Sequence, residues 1–221
     1  MQNNPSVTAS RESVLATNAV LRNTYILLSM TLGFSAVTAG ISMAMNLGHG
    51  TAIVLTLVSF VMLFVVHKTA ESSKGLIAIF VFTGLLGASI GPMLNYYLSL
   101  PGGSVMVMQA MGTTAAAFLG LSAYALTSQK DFSYMGGFLI TGLIIVVVAM
   151  VANIFLHIPA LSLAISSVMV FLMCGLILFD TSRIINGGET NYIRATVSLY
   201  LNIYNLFIHL LHLISAFSGD D

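Results

Sequence analysis

The segment NGGETNYIRATVSLYLNIYNLFIHLLHLISAF, residues 186–217, decides the fold class of this chain. From Ile193 onward it is long and apolar enough to cross a membrane as a helix. Six polar side chains nevertheless recur three or four residues apart, and in a helix that spacing aligns them on one narrow stripe. They are Arg194, Ser198, Asn202, Asn205, His209 and His212. Such a stripe must face protein or water, because an unpaired amide in hydrocarbon costs free energy.

The composition is that of an integral membrane protein. Of the 221 residues, 57% are hydrophobic and 6% are charged, whereas about a quarter of the residues in soluble domains are charged. The net charge is zero and no basic cluster is present, which excludes a nucleic-acid-binding protein. The single cysteine, Cys174, has no partner for an internal disulfide, and its apolar surroundings in the sequence predict a small buried side chain.

Seven apolar runs are long enough to be transmembrane helices. They cover residues 24–45, 51–67, 75–98, 104–127, 134–156, 158–180 and 193–217. The first run is too long to be the core of a signal peptide, so we expect an uncleaved helix. The sequence thus predicts an all-α membrane protein in two parts. Residues 1–23 form a polar cytoplasmic tail, flexible apart from a short helix near Arg11–Leu21, and residues 24–221 form a seven-helix transmembrane domain.

The positive charges divide the predicted loops into two sets. All seven Lys and Arg fall on one side of the predicted membrane domain: Arg11, Arg22, Lys68, Lys74, Lys130, Arg183 and Arg194. The opposite loops, near residues 46–50, 101–103 and 157–159, contain none. Because positive charge marks the cytoplasmic side, the amino terminus is predicted inside and the carboxyl terminus outside. An even number of spans would break this division.

Small residues recur inside the predicted spans, and Gly87 and Gly91 in the third span have the Gly-x-x-x-Gly spacing. Such a pair lets two helix backbones approach closely. It serves either packing within the bundle, which is the commoner use, or a dimer face.

The polar stripe on the seventh span has two interpretations. In the first, the span lies at the centre of the bundle and its polar groups bond to neighbouring helices, each bond contributing about 0.6 kcal/mol. In the second, the stripe lines a hydrated path or cavity. The first is the commoner arrangement, since Asn and Ser often join membrane helices, and the sequence leaves both open.

Asp180 closes the predicted sixth span and is the only acidic residue that falls inside the predicted membrane region. A carboxylate at the centre of a span costs roughly 2.5–3.5 kcal/mol, so it normally pairs or faces water. In one interpretation Asp180 is an interfacial acid bonded to Arg183, three residues further on. In the other it is a buried acid that changes protonation near neutral pH and acts as a proton-sensitive latch.

Neither a metal centre nor an enzyme active site is predicted. His209 and His212 lie three residues apart but lack the third and fourth ligands that zinc sites usually have. No metalloprotease, hydrolase or nucleotide-binding motif is present, and no second intramembrane aspartate accompanies Asp180. We therefore expect no cofactor.

The last two predicted spans resemble the signature of the Bax inhibitor-1 family, also called the lifeguard or transmembrane Bax inhibitor motif family. The residues that carry the resemblance are Phe179-Asp180, Asn186–Ile193, Ala195, Ser198–Leu201 and Asn205–Phe207. The chain is most similar to the bacterial YccA-like branch, through Leu21–Tyr25 before the first span and Lys130-Asp131 before the fifth. The resemblance covers essentially the whole chain and implies a seven-helix bundle with the seventh helix central.

Two activities are implied by this resemblance. YccA-like members associate with FtsH, a membrane-anchored, ATP- and zinc-dependent protease, as a substrate that resists degradation and so inhibits it. Other members are pH-sensitive calcium leak channels, in which two aspartates on the last two helices share a proton and control a central pore. Asp180 matches the first of these aspartates, whereas Asn202 stands at the position of the second. An amide can hydrogen-bond to a carboxylate but cannot share a titrating proton with it.

The leading hypothesis is therefore a multi-pass protein of the bacterial inner membrane that modulates FtsH, with the protease and its associated membrane complexes as partners. The alternative is a pH-sensitive calcium or cation leak channel whose aspartate pair is broken at Asn202. Its candidate pore or pH-sensing residues are Asp180, Asn202, Arg183, Ser198, Asn205 and His209. The sequence carries no signature of a particular oligomeric state.

Overall fold

Seven long α-helices account for nearly all of the chain that the computed structural model describes, which is the backbone of residues 5–128 and 130–218 and the side chains from Ala19 onward. They are α1 Pro5–Ala44, α2 His49–Thr69, α3 Ser73–Ser99, α4 Gly103–Ser128, α5 Gly136–Leu156, α6 Pro159–Ile185 and α7 Tyr192–Ser218. A single 3-10 turn, Ser133–Met135, precedes α5. Each α-helix contains a stretch long and apolar enough to cross a membrane. The predicted all-helical fold with seven candidate spans is confirmed for these residues.

The first helix differs from the prediction, because α1 begins at Pro5 and continues without a break into the apolar stretch that starts at Ala19. Residues 5–23, expected to be largely flexible, are the first turns of this long helix; residues 1–4 of the predicted tail lie outside the described residues. Hydropathy reports where a helix enters lipid, whereas helix continuity depends on the absence of breakers. No proline follows Pro5 within α1.

The sixth helix also extends beyond its predicted end. It continues to Ile185, so that Asp180 lies five residues before the end of the helix instead of closing it. The hydropathy falls at Asp180, but the backbone remains helical until Asn186 and Gly187. Gly187 has a φ of 73°, a conformation that glycine adopts readily at a helix end.

Close backbone packing joins α1 to α3. A Cβ atom built on Gly87 would overlap the backbone carbonyl oxygen of Ser35, and one built on Gly91 would overlap the side chain of Ser42. The Gly-x-x-x-Gly pair therefore serves packing within the bundle, the first of the two uses considered for it.

The seventh helix packs against α1, α2, α3, α4 and α6, whereas α5 packs against α6 and the adjoining 3-10 turn within the described residues. The sides of α2 and α5 that turn away from the bundle carry exposed apolar side chains, including Leu57, Phe64, Ile144 and Phe155. Exposed side chains of this size in continuous bands are suited to lipid.

Candidate functional site

The candidate site lies along the contact between α6 and α7, and its centre is a bond between Asp180 and Asn202. The Asn202 side-chain amide donates a hydrogen bond of 2.7 Å from Nδ2 to Asp180 Oδ2. Asn202 is buried and Asp180 is half-buried. The structure thus brings together the two positions that the family resemblance pairs. Here they hold one carboxyl group and one neutral amide. This pair has a single titrating group.

Arg183 does not bond to Asp180. Its Nη2 atom donates to the Gly188 carbonyl oxygen at 3.3 Å and lies 3.9 Å from Glu189 Oε2, and its guanidinium lies over the Phe179 ring. The Asp180–Arg183 bond, which was one of the two interpretations of Asp180, is therefore not formed. The physical reason is the reach of the arginine side chain, which extends past the end of α6 to a carbonyl and a carboxylate in the α6–α7 connection.

The remaining stripe residues are bound in different ways. At the beginning of α7, Arg194 Nη2 lies 2.7 Å from Oε1 of Glu71, which is in the α2–α3 connection. The Asn205 amide donates to the Leu201 carbonyl oxygen of its own helix at 2.8 Å, and Ser198 is half-buried. The stripe therefore does not form one continuous chain of bonds to a single neighbouring helix, because Arg194 contacts the α2–α3 connection and Asn205 bonds within its own helix.

The two histidines meet α6 near its beginning, far along the helix from Asp180. Ser166 Oγ lies 2.8 Å from His212 Nδ1 and 3.1 Å from His209 Nδ1. His209 is buried and His212 is half-buried. Both rings border an open cleft of about 370 Å3. Its lining residues come from α3, α5, α6 and α7, and they are Tyr97, Met150, Asn153, Ile154, Ser162, Ile165, Ser166, Ile208, His209 and His212.

A second polar contact of α7 was not singled out from the sequence. The Tyr200 hydroxyl lies 2.7 Å from Ser35 Oγ on α1 and 3.3 Å from the Thr83 carbonyl oxygen on α3, and the Tyr200 side chain is fully buried. One turn later, the Tyr204 hydroxyl lies 3.3 Å from Ser89 Oγ. The available signal was the spacing of four residues between the two tyrosines, which places them on one face of α7. These bonds tie α7 to the α1–α3 pair.

No three His, Cys, Asp or Glu side chains lie close enough together to hold a metal ion in the part of the chain that the structure describes. The carboxyl groups that contact the candidate residues come from separate parts of the chain: Asp180 on α6, Glu189 in the α6–α7 connection and Glu71 in the α2–α3 connection.

Comparison with known proteins identifies the family. The family model described as "Inhibitor of apoptosis-promoting Bax1" matches residues 17–219. The chain belongs to the Bax inhibitor-1 family. The match covers all seven candidate spans, from Ala19 in α1 to Ser218 in α7.

Full-length bacterial relatives of this Bax inhibitor-1 protein include one from Escherichia coli K12, named "Modulator of FtsH protease YccA", which is 52% identical over 211 residues and covers 95% of both chains. The same identity and coverage hold for the "Inner membrane protein YccA" of E. coli O6:H1. A Vibrio cholerae membrane protein is 52% identical over 215 residues, which is 97% of this chain and 96% of its own. The Bax inhibitor-1 protein described here is thus a multi-pass protein of the inner membrane, and none of these three relatives is named as an enzyme.

Proposed function

We propose that the chain binds the ATP-dependent membrane protease FtsH and inhibits it as a poorly degraded substrate. The observation that carries this proposal is the 52% identity, over 95% of both chains, to a protein named as a modulator of that protease. The match extends over most of the membrane domain of both proteins.

The extension of α1 is the proposed handle for the protease. Residues 5–18 precede the apolar stretch of α1 and extend about 21 Å at 1.5 Å per residue. A helix of this length has little stability of its own in water. An ATP-driven protease can therefore unfold it and begin to pull on α1.

The packing of α1 supplies the proposed resistance to degradation. The helix lies directly against the α3 backbone at Gly87, and its Ser35 side chain bonds to the buried Tyr200 hydroxyl of α7. The Thr196 hydroxyl of α7 also donates to the Thr24 carbonyl oxygen at 3.3 Å. Extraction of α1 must break the contacts with both helices together, which slows the protease.

Deletion of residues 2–18 tests this mechanism. We expect the deleted protein to live longer after protein synthesis is stopped, and less protease to co-purify with it from detergent-solubilised membranes. Removal of residues 219–221, at the other end of the chain, is the control and leaves both quantities unchanged. Unchanged lifetime and unchanged co-purification in the residue 2–18 deletion would contradict the proposal.

The proposed mechanism needs the amino terminus on the cytoplasmic side. The division of the positive charges supports this orientation, because Lys68, Lys74, Lys130 and Arg183 lie in or beside the α2–α3, α4–α5 and α6–α7 connections. In a seven-helix membrane domain these connections lie on the same side of the membrane as the beginning of α1, and positive charge marks the cytoplasmic side. Single cysteines at positions 8 and 157 in a Cys174→Ala background provide a test. A membrane-impermeant maleimide added to intact spheroplasts is expected to label position 157 and not position 8.

A cation leak is the second candidate function, and the bond between Asp180 and Asn202 favours it. This bond places a carboxyl group at a helix contact inside the bundle, where an aspartate pair would form if Asn202 were replaced by aspartate. Two such groups would share a proton, because two like charges at this distance cannot both be stable.

Calcium flux into proteoliposomes between about pH 6 and 8 tests the leak function. Wild type is expected to give a slow flux with little pH dependence, Asp180→Ala to abolish it, and Asn202→Asp to make it depend steeply on pH. Asp180→Asn is the matched control for loss of charge with the shape retained. Absence of flux in all the proteins would reject the leak and leave the protease function in place.

A further inference from the structure

The cleft that the two histidines border is a gap that α5 leaves open. Met150, Asn153 and Ile154 of α5 form one wall, and Tyr97 of α3 belongs to the lining as well. Within the described residues, however, α5 packs against α6 and the adjoining 3-10 turn and not against α3 or α7. No contact between α3 and α5 closes the cleft on this side, so lipid of the surrounding bilayer has access to it.

The cleft lies at the depth of the ester groups of a phospholipid. Helices α6 and α7 have 27 residues each and are about 40 Å long, which matches a bilayer with its interfacial regions. Ser162 lies three residues after the beginning of α6, and Asn153 lies three residues before the end of α5, so both are about 5 Å below the helix ends. His209 lies nine residues before the end of α7, which is about 14 Å from that end. The cleft thus extends from the interface, where the ester groups lie, into the acyl-chain region.

The α5 wall presents hydrogen-bond donors to the cleft. Asn153 Oδ1 accepts a hydrogen bond of 3.1 Å from the Ile158 backbone N–H. This bond fixes the orientation of the amide, so that Nδ2, with its two N–H donors, remains available to a ligand. Ser162 adds a hydroxyl group to the same lining. A ligand of this wall is therefore expected to carry hydrogen-bond acceptors.

A second donor comes from His212. Ser166 Oγ lies 2.8 Å from His212 Nδ1 and 3.1 Å from His209 Nδ1, and no backbone carbonyl of the described residues accepts from this serine. Because a hydroxyl group has a single hydrogen, Ser166 donates to one ring and accepts Nδ1–H from the other. The shorter distance is typical of an O–H donor and the longer one of an N–H donor, which assigns the serine hydrogen to His212. His212 Nε2 then carries a proton and is a donor, and this ring is the more exposed of the two.

We propose that the cleft binds one phospholipid molecule, whose two ester carbonyl oxygens accept hydrogen bonds from Asn153 Nδ2 and His212 Nε2. One acyl chain lies along the apolar part of the lining, which includes Met150, Ile165 and Ile208. No lining residue is Lys, Arg, Asp or Glu, so the site recognises the uncharged glycerol-ester region and leaves the charged headgroup in the interface. The volume of about 370 Å3 lies within the range of about 300–1,000 Å3 that is usual for ligand sites. In the proposed orientation the lipid belongs to the outer leaflet.

Native mass spectrometry of the full chain, released from nanodiscs of phosphatidylethanolamine and phosphatidylglycerol, tests the proposal. We expect one phospholipid to remain on each wild-type chain. Asn153→Asp keeps an oxygen for the Ile158 N–H and removes both donors, and His212→Phe removes Nε2 and keeps a ring. Each is expected to lower the apparent affinity for the lipid by about 3- to 10-fold, which corresponds to one lost hydrogen bond. The matched controls on α2, outside the cleft, are His49→Phe and Thr56→Val, and both leave the affinity unchanged.

A photoreactive phospholipid provides a readout that does not depend on the stability of a variant. With a diazirine beside the ester carbonyl, the wild-type protein is expected to be labelled mainly on the α5 and α7 segments of the cleft, whereas equal labelling of the lipid-facing side of α2 would overturn the proposal. Glycerophosphoethanolamine, which has the headgroup but neither ester carbonyls nor acyl chains, is expected not to displace the lipid. Displacement by this soluble compound would overturn the proposal, as would a wild-type chain that retains no lipid. Equal affinities of the wild type, Asn153→Asp and His212→Phe would also overturn it.

Discussion

Gly87→Ala tests the closest helix contact in the bundle. The added methyl group would overlap the Ser35 carbonyl oxygen and the Thr38 hydroxyl of α1. Overpacking of this kind costs about 1–3 kcal/mol, and the higher part of that range applies because a backbone carbonyl cannot rotate away from the clash. Alanine in place of glycine returns about 1 kcal/mol of helix propensity. We therefore expect a net loss of about 2 kcal/mol in the free energy of unfolding.

Reversible unfolding in mixed detergent micelles, followed by circular dichroism, measures this change. Gly112→Ala on α4 is the matched control, because a Cβ atom there meets nothing within 4 Å, and it is expected to leave the stability unchanged or to raise it by up to about 1 kcal/mol. If the Gly87→Ala protein were as stable as the Gly112→Ala protein, the close contact between α1 and α3 would be refuted. In membranes containing the protease, the loosened α1 is also expected to shorten the lifetime of the Gly87→Ala protein.

Three further predictions concern single side chains. Tyr200→Phe removes the bonds to Ser35 and the Thr83 carbonyl and should lower the free energy of unfolding by about 0.6–1.7 kcal/mol, measured in the same micelle assay. Asn191→Ala should cost about 1–2 kcal/mol because Asn191 Oδ1 caps α7 by accepting from two backbone N–H groups, whereas Asn191→Asp should keep this cap and lose only the bond that Asn191 Nδ2 donates to the Ala70 carbonyl oxygen. Hydrogen bonds from the Ser133 hydroxyl and backbone N–H lower the pKa of Asp131 below 3.8. The hydrogen bonds between Ser133 and the Asp131 carboxylate should therefore be intact at neutral pH. They should be lost only as the pH falls through the lowered pKa of Asp131, and hydrogen exchange of the Ser133 amide would detect their loss.

The seven helices were predictable because a membrane span is a property of a contiguous sequence. Hydropathy alone located α2 to α5 and α7 to within about two residues at most ends, since lipid selects for apolar side chains over about 20 positions. It missed the start of α1 and the end of α6. Both differences arise where a helix continues in polar sequence, which hydropathy treats as loop.

The contacts of the site were less predictable, because a polar side chain in a helix identifies neither its partner nor the direction of its bond. The spacing of three residues suggested that Arg183 binds Asp180, yet the arginine has partners beyond the helix end. The juxtaposition of Asp180 and Asn202 followed from family resemblance rather than from spacing. Ser166 gave no signal, because one serine in an apolar run is an ordinary observation until the fold brings two histidines to it.

The position of α5 has a consequence for the mechanics of the cleft. This helix supplies Met150, Asn153 and Ile154 to one wall, while its packing against other described helices is confined to α6. Lipid chains rather than protein support its outer side. The bilayer is therefore expected to act as a structural component of the cleft, and a change in its thickness or lateral pressure should move α5 relative to α7. A membrane of different composition would hold the same amino-acid sequence with a wider or a narrower entrance.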